Sequence, residues 1–185
     1  MCQLKSALIL KDRIFIPDYD SHSQMLDELK IDDNQKNAET LFIRAELYPK
    51  NGDVFSPVDT WIFHVDQDIV PDWYVPKYDE ERMRKAVKEW ADKHVLIGEK
   101  NVEFNGGIYY IKDSTVEAYD SATVKAYGSA TVEAYGSATV IIPEWSSNKR
   151  DNIVITENAT IKDCKTKTIW QSGDWKIQLV GDDNG

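Results

Sequence analysis

Apolar and polar positions recur with a strict eight-residue period between Ser114 and Val140. The units are STVEAYD, SATVKAYG, SATVEAYG and SATV. Side chains alternate faces along a strand, so the Ala, Val and Ala of each unit share one apolar face. Thr, Glu or Lys, and Tyr share the other face. The Gly-Ser or Asp-Ser that follows makes a turn, because Gly supplies an unrestricted backbone. Each unit, here called an octad, therefore predicts one short strand and one corner.

A single octad cannot bury its apolar face, whereas stacked octads can. The period therefore predicts a β-solenoid, a short-repeat β-helix. We favour two octads per coil, which would stack Tyr119 on Tyr135 and place Tyr127 on the other side; three octads per coil are the alternative. The pattern keeps its register until Pro143, and residues 158–165 resemble a further octad. Coil ends need covering, for which the sequence offers Trp145, Trp170 and Trp175.

The chain before Gly98 has different patterns. Ser6–Ile16 predicts a β-hairpin, and the segment QMLDELKI predicts a helix capped by Ser21 or Ser23. A polar loop is expected over residues 32–36. The remaining predicted elements are two strands, LFIRAELYP (41–49) and TWIFHVD (60–66), and a long amphipathic helix over Asp79–Val95.

These patterns give a fold class of an α+β N-terminal domain followed by an all-β solenoid. The predicted domains are an α+β head over residues 1–98 and a β-solenoid with octapeptide repeats and a C-terminal cap over residues 99–185. Beyond Gly98 the sequence predicts no helix.

The formal net charge of −10 changes which partners are expected. An acidic surface repels phosphates, which disfavours direct binding to nucleic acid or to anionic membranes. It suits a basic protein partner, including a surface that normally holds nucleic acid, although solubility alone also explains it. Cys2 and Cys164 form neither a disulfide framework nor a zinc motif. With no signal peptide pattern and no apolar run long enough to span a bilayer, we expect a cytoplasmic location.

Candidates for catalysis are few. After methionine removal, Cys2 would be an N-terminal nucleophile whose α-amine acts as its base, a start resembling class II amidotransferases and the SRAP family. Both of those families continue with Gly, where this chain has Gln3. Asp20 and His22 form an acid-base pair beside a helix start, for which a helix cap is the simpler account. His64 could bind a metal with Asp66 and Asp68, but no second ligand cluster supports this. No nucleotide-binding or hydrolase motif occurs, so we expect no cofactor and no metal.

The outward face of the octads is the other candidate site. Tyr and Thr ladders stabilise stacked strands, which alone accounts for them. Tyr is also enriched at protein interfaces, which predicts a partner-binding face. The residues of this interaction face are Thr115, Glu117, Tyr119, Thr123, Tyr127, Thr131, Glu133 and Tyr135.

The octads SATVKAYGSATVEAYGSATV resemble repeats in proteins of bacteriophages and gut bacteria, in which the repeat number varies. FIRAELYPKNGDVFSPVDTWIFHVDQD and PDWYVP are similar to segments of the same group, so the resemblance covers most of the chain. It brings no activity with it. The chain also resembles, at the level of fold, acidic pentapeptide-repeat solenoids that imitate DNA.

Three functions follow as hypotheses. The first is a non-enzymatic protein–protein interaction module, such as a phage-encoded acidic inhibitor of a host defence or nucleic-acid-handling protein. The second is an enzyme with a head-domain site around Cys2 and His22. The third is a self-assembling structural solenoid, which would make the protein a homo-oligomer.

Overall fold

A computed structural model describes residues 5–174 of the chain, which form mostly strands and few helices, arranged in three sheets. The contacts divide the chain into two compact units, the first ending at Val95 and the second beginning at Leu96. Among residues 5–174 there is no helix with the length and apolar character needed to cross a membrane.

Four antiparallel strands form the sheet of the first unit, in the order β2-β1-β3-β4. Their bounds are Lys5–Leu10 (β1), Ile14–Phe15 (β2), Phe42–Tyr48 (β3) and Ile62–Val65 (β4). β1 and β2 are the predicted hairpin, in which the Leu10 N–H donates to the Arg13 carbonyl at 2.8 Å. The two other strands predicted before Gly98 also form, and each is slightly shorter than predicted, as is usual for strand ends.

Three α-helices and a short 3-10 helix at Val58–Thr60 accompany this sheet; the α-helices are α1 at His22–Glu28, α2 at Gln35–Ala38 and α3 at Pro76–His94. The Ser21 hydroxyl caps α1 by accepting a hydrogen bond from the Gln24 N–H at 3.3 Å, as the sequence predicts. α2 lies partly in the segment predicted as a loop, and the Asn34 side chain caps its single turn. α3 begins before the predicted start because Pro76 has the fixed φ that suits a first helical turn.

Both faces of the two inner strands, β1 and β3, are largely buried. On one face, Leu8, Leu10 and Phe42 pack against Met25 and Leu26 of α1. On the other face, residues of β1 and β3 are fully buried, and α3 contacts both strands. The residues that α3 buries include Met83, Val87, Trp90 and Ala91.

Two sheets form the second unit, in the orders β12-β10-β8-β6 and β14-β13-β11-β9-β7-β5. We refer to them as the first and second repeat sheets. The first holds β6 at Lys100–Phe104, β8 at Thr115–Ala118, β10 at Thr131–Ala134 and β12 at Ile153–Ile155. The second holds β5 at Val95–Ile97, β7 at Ile108–Lys112, β9 at Thr123–Tyr127, β11 at Thr139–Ile142, β13 at Thr160–Asp163 and β14 at Thr168–Gln171.

Successive octads alternate between these two sheets. Val116 pairs in parallel with Val132 in the first sheet, and Val124 pairs in parallel with Val140 in the second. Strands that are neighbours in a sheet are therefore two octads apart along the chain, as favoured from the sequence. Val and Ala of every octad point into one continuous core, where they are fully or almost fully buried.

A loop after β11 breaks this regular spacing. Its Ser146 and Asn148 side chains are buried and donate to the carbonyls of Ala126 and Ala130, at 2.8 and 2.7 Å. The strand pairing then resumes, with Ile161 of the further octad beside Val140. The expectation that Trp145 covers a coil end is wrong, since 89% of its surface is exposed.

The other two tryptophans proposed as caps are Trp170 and Trp175. Trp170, in β14, packs against the core of the second unit. β14 runs antiparallel to β13, so its direction is opposite to that of the parallel strands β7, β9, β11 and β13. Trp175 lies outside the described residues.

Candidate functional site

Three glutamates form a ladder on the first repeat sheet. Glu103, Glu117 and Glu133 occupy equivalent positions on β6, β8 and β10, directly beside one another in register. The core-facing Val and Ala residues alternate with these positions, so the carboxylates lie on the outer face. Neighbouring strands are about 4.8 Å apart. Like charges at that spacing repel each other and destabilise the sheet.

Two tyrosines follow this glutamate ladder along the strands. Tyr119 and Tyr135 stack with ring centroids 5.0 Å apart and an interplanar angle of 12°. The Tyr135 hydroxyl donates to Glu133 Oε2 at 2.7 Å, and the Tyr119 hydroxyl donates to Glu117 Oε2. We call the three glutamates and these two tyrosines the Glu–Tyr face.

These contacts fix the protonation of both phenols. The hydrogen bond to Glu117, partial burial and the neighbouring negative charges raise the pKa of Tyr119 to about 12. The hydrogen bond to Glu133 is the largest cause that raises the pKa of Tyr135. Both phenols therefore keep their protons and remain donors, which holds the carboxylates in defined positions.

The second repeat sheet carries the opposite charge at the corresponding positions. Lys125 stands where the neighbouring octads have Glu117 and Glu133. Its Nζ donates to the Tyr110 hydroxyl at 3.1 Å and lies 4.6 Å from the centroid of that ring, a cation–π distance. Further along the sheet, Lys162 occupies the same row on β13. One sheet is thus acidic and the other basic along this row.

The predicted interaction face is therefore divided between the two sheets. Six of its residues lie on or directly after β8 and β10, whereas Thr123 and Tyr127 belong to β9. The first group is Thr115, Glu117, Tyr119, Thr131, Glu133 and Tyr135. Glu103 is not recognisable as a member of this face from the sequence, because β6 lies before the octads and only its pairing aligns it with Glu117.

The catalytic candidates of the first unit lie in two groups of contacts. Asp20 Oδ1 accepts from Lys5 Nζ at 2.8 Å and from the Ser6 N–H at 3.2 Å. Lys5 is fully buried, so its charge is balanced by Asp20 and by the carbonyls of Pro17 and Tyr19. Asp20 is thus engaged in stabilising a buried lysine. Cys2 lies outside the described residues.

His22 belongs to the second group. Within residues 5–174, the three-residue cluster whose potential metal-ligating atoms all lie within 4.8 Å of one another is His22, Glu46 and Asp66. His64, directly beside Glu46 in the sheet, is exposed and is not part of the cluster, nor is Asp68. The sequence predicts Asp66 as a partner of His64, whereas the structure pairs Asp66 with His22.

Sequence reasoning missed Glu46 and Lys5. Glu46 stands at a polar position of an alternating strand, which normally faces water, yet it is only 5% exposed. Its burial arises because α1 covers the same face of the sheet. No local pattern identifies such a position.

Comparisons with protein-family models, with curated proteins and with solved structures found no match to this chain.

Proposed function

We propose that the chain is a non-enzymatic interaction protein, in which the Glu–Tyr face binds a protein partner with a basic surface. The proposed architecture is an α+β head over residues 1–98 followed by a short β-solenoid over residues 99–185. The observation that carries the proposal is the in-register ladder of Glu103, Glu117 and Glu133.

The ladder supports binding because the charge repulsion within it opposes folding. Like charges directly opposite each other in a sheet cost roughly 0.2–1 kcal/mol per pair. A neutral residue at the middle position would remove both repulsions, and Ile141 shows that this row of the octad accepts an apolar side chain. A cationic partner would be attracted by all three carboxylates and would reduce the repulsion between them, so the ladder would favour binding.

The two tyrosines support a protein partner in particular. Stacked rings that are held by neighbouring strands lose little conformational freedom on binding, which lowers the cost of association. Tyr supplies a large apolar contact and a polar hydroxyl on one side chain, as hot-spot residues do. The Glu–Tyr face thus combines charge complementarity with a prearranged contact surface.

The solenoid assignment rests on the regular pairing of the octads. Parallel strands in register at a spacing of two octads, with Val and Ala enclosed between two sheets, are what stacked coils require. Each strand contacts mainly the strands before and after it in the stack. Such a scaffold presents one row of side chains at a fixed spacing, which suits recognition of an extended basic surface.

A phage-type inhibitor of a nucleic-acid-handling host protein fits this proposal. Proteins that hold nucleic acid do so with Lys and Arg that neutralise phosphates. A rigid row of carboxylates can occupy the same basic surface. The resemblance of the octads to repeats in bacteriophage proteins agrees with this role, and we propose it as the class of partner.

The test is capture from bacterial lysate with two matched triple variants. In the ladder variant, E103Q/E117Q/E133Q removes the charges of the Glu–Tyr face. In the control variant, E81Q/E89Q/E144Q removes three charges from exposed positions elsewhere, so both variants change the formal charge from −10 to −7. Circular dichroism first verifies that both fold.

We expect a reproducible basic partner with the parent and the control variant, and its loss with the ladder variant. Binding should also weaken as salt increases, because screening acts on exposed charges. Capture of the same proteins by both variants would place binding elsewhere. Absence of any reproducible partner, with association of the chain into oligomers on size-exclusion chromatography, would favour the self-assembly hypothesis instead.

A further inference from the structure

Three potential metal ligands from three separate elements converge in the first unit. His22 is the first residue of α1, Glu46 is in the middle of β3, and Asp66 directly follows β4. Their ligating atoms lie within 4.8 Å of one another. These residues are distant in sequence, so their proximity arises from the fold.

The hydrogen bonding of His22 decides which of its nitrogens is available. Nε2 lies 3.2 Å from the carbonyl oxygen of Ala45. A carbonyl can only accept, so Nε2 carries the proton and donates it. Metal-bound histidines characteristically donate their second ring N–H to a carbonyl or carboxylate, which fixes the ring and leaves the other nitrogen for the metal. In His22 the remaining nitrogen is Nδ1.

Nδ1 faces a carboxylate. It lies 3.5 Å from Asp66 Oδ2, and because both atoms carry lone pairs, a proton or a cation between them makes the contact favourable. Either Nδ1 carries a second proton, or a cation lies between the nitrogen and the oxygen. A charge-assisted N–H···O bond is typically about 2.7–2.9 Å long, so 3.5 Å is long for the first arrangement.

The second arrangement fits the distance. Two ligands that are each about 2.1 Å from a tetrahedral ion are separated by about 3.4 Å. The separation of Nδ1 and Oδ2 is close to this value. Glu46 supplies the third ligating oxygen within the same small volume.

Burial and ligand type favour a divalent cation. His22 and Glu46 are each 5% exposed, so they would shield a bound ion from water on their side. One imidazole nitrogen and two carboxylate oxygens form a ligand set that divalent metals commonly take in proteins. The Asp66 side chain is 52% exposed, so the cluster is open to solvent on that side and water can complete the coordination.

The geometry points to a divalent transition-metal site formed by His22 Nδ1 and by carboxylate oxygens of Glu46 and Asp66. One imidazole with two carboxylates suits Zn²⁺ or a related first-row ion better than Ca²⁺ or Mg²⁺, which prefer oxygen ligands alone. The ion would join the start of α1 to the inner strand β3 and to the end of the edge strand β4. This site is independent of the Glu–Tyr face.

The test is titration of the chelator-treated full chain with Zn²⁺ by calorimetry, and with Co²⁺ by visible absorption. D66N is the main variant, because Asp66 is half exposed and its replacement leaves the core intact. H22Q and E46Q are the second set. H64Q and D68N are matched controls on neighbouring exposed residues that the site does not use.

We expect one bound ion per chain, whose affinity falls at least about tenfold in D66N, H22Q and E46Q and is unchanged in H64Q and D68N. Zn²⁺ should also raise the melting temperature of the parent, because ligands that bind only the folded state stabilise it. Ca²⁺ and Mg²⁺ should have no comparable effect. Absence of binding would overturn the site, and so would equal binding by D66N and the parent, which would place the ion elsewhere.

Discussion

The ring of Tyr119 stacks on the ring of Tyr135, the same position two octads later, with centroids 5.0 Å apart. The contact can form only when alternate octads are neighbours in one sheet. The stacked pair is therefore direct evidence of the strand register. It also places two phenols beside two carboxylates, so the register can be tested through the ionisation of the phenols.

The ionisation of Tyr119 is the first prediction. Its pKa is raised to about 12, chiefly by its hydrogen bond to Glu117, so it should ionise well above the ordinary value of about 10. In E117Q the carboxylate charge is absent, and the midpoint should move toward that ordinary value. Absorbance of the phenolate, followed as a function of pH and compared between E117Q and the parent, measures the change.

The sign of the accompanying stability change follows from the same shift. Because the folded state holds the Tyr119 proton more tightly than the unfolded state, this contribution is present below about pH 10 and is lost as the pH rises through about 12. The E144Q protein, altered at an exposed glutamate, is the control and should titrate like the parent. Identical titration curves for E117Q and the parent would contradict the hydrogen bond.

The corner at Gly128 is the subject of the second prediction. Gly128 has a φ of +61°, and a Cβ at this position would lie 2.2 Å from Asp113 Oδ1. That oxygen also accepts from the Ser129 N–H at 2.7 Å and from the Ser129 hydroxyl at 2.9 Å. G128A therefore combines backbone strain with displacement of a carboxylate that two donors hold. We expect a loss of about 2–4 kcal/mol in the free energy of unfolding.

Gly52 provides the control for this corner. It also has a positive φ, +72°, but no atom lies within 4 Å of the position of its Cβ. G52A should therefore lose only the strain, about 1–2 kcal/mol. Urea denaturation of both variants measures the difference, and equal losses would show that Asp113 yields without cost.

A third prediction concerns insertions into the repeat. A second copy of residues 121–136 placed after Gly136 adds one octad to each repeat sheet and keeps every later strand in its sheet and in register, with the new strands between β9 and β11 and between β10 and β12. We expect this protein to unfold cooperatively at a temperature no lower than the parent. A copy of residues 121–132 at the same place breaks the octad period, which moves corner residues into strands.

Thermal unfolding followed by circular dichroism distinguishes the two insertions. The shorter insertion should lower the melting temperature, although all of its residues also belong to the longer insertion. If both insertions are equally well tolerated, the pairing of the later strands does not depend on the octad register.

The repeats could be predicted in detail because the structure of each octad is determined by residues within that octad. The alternation of Ala-Val-Ala with Thr and Tyr sets the buried face, and Gly or Asp sets the corner, so neither depends on distant residues. The stacking of Tyr119 on Tyr135 follows from the pairing of alternate octads in one sheet. Trp145 was mistaken for a cap because residue type alone does not distinguish a covering tryptophan from an exposed one.

The first unit was predictable only as far as its strands and longer helices. The burial of Lys5 depends on Asp20 and on carbonyls that the chain supplies after the hairpin. The cluster around His22 depends on which strand lies beside which, since Glu46 and Asp66 meet His22 only after β3 and β4 have paired. Such groups cannot be recognised from the sequence because their members are far apart in it, whereas the octads of a repeat follow one another directly.

The alternation of octads between two sheets has a consequence for proteins that gain or lose repeats. Adding two octads leaves every later strand in its original sheet, whereas adding one octad exchanges the sheets for every strand that follows. The parity of the octad number therefore decides on which side of the stack the later residues emerge. Duplication of a single octad would place every later strand in the opposite sheet, so that Glu and Lys would stand within one row.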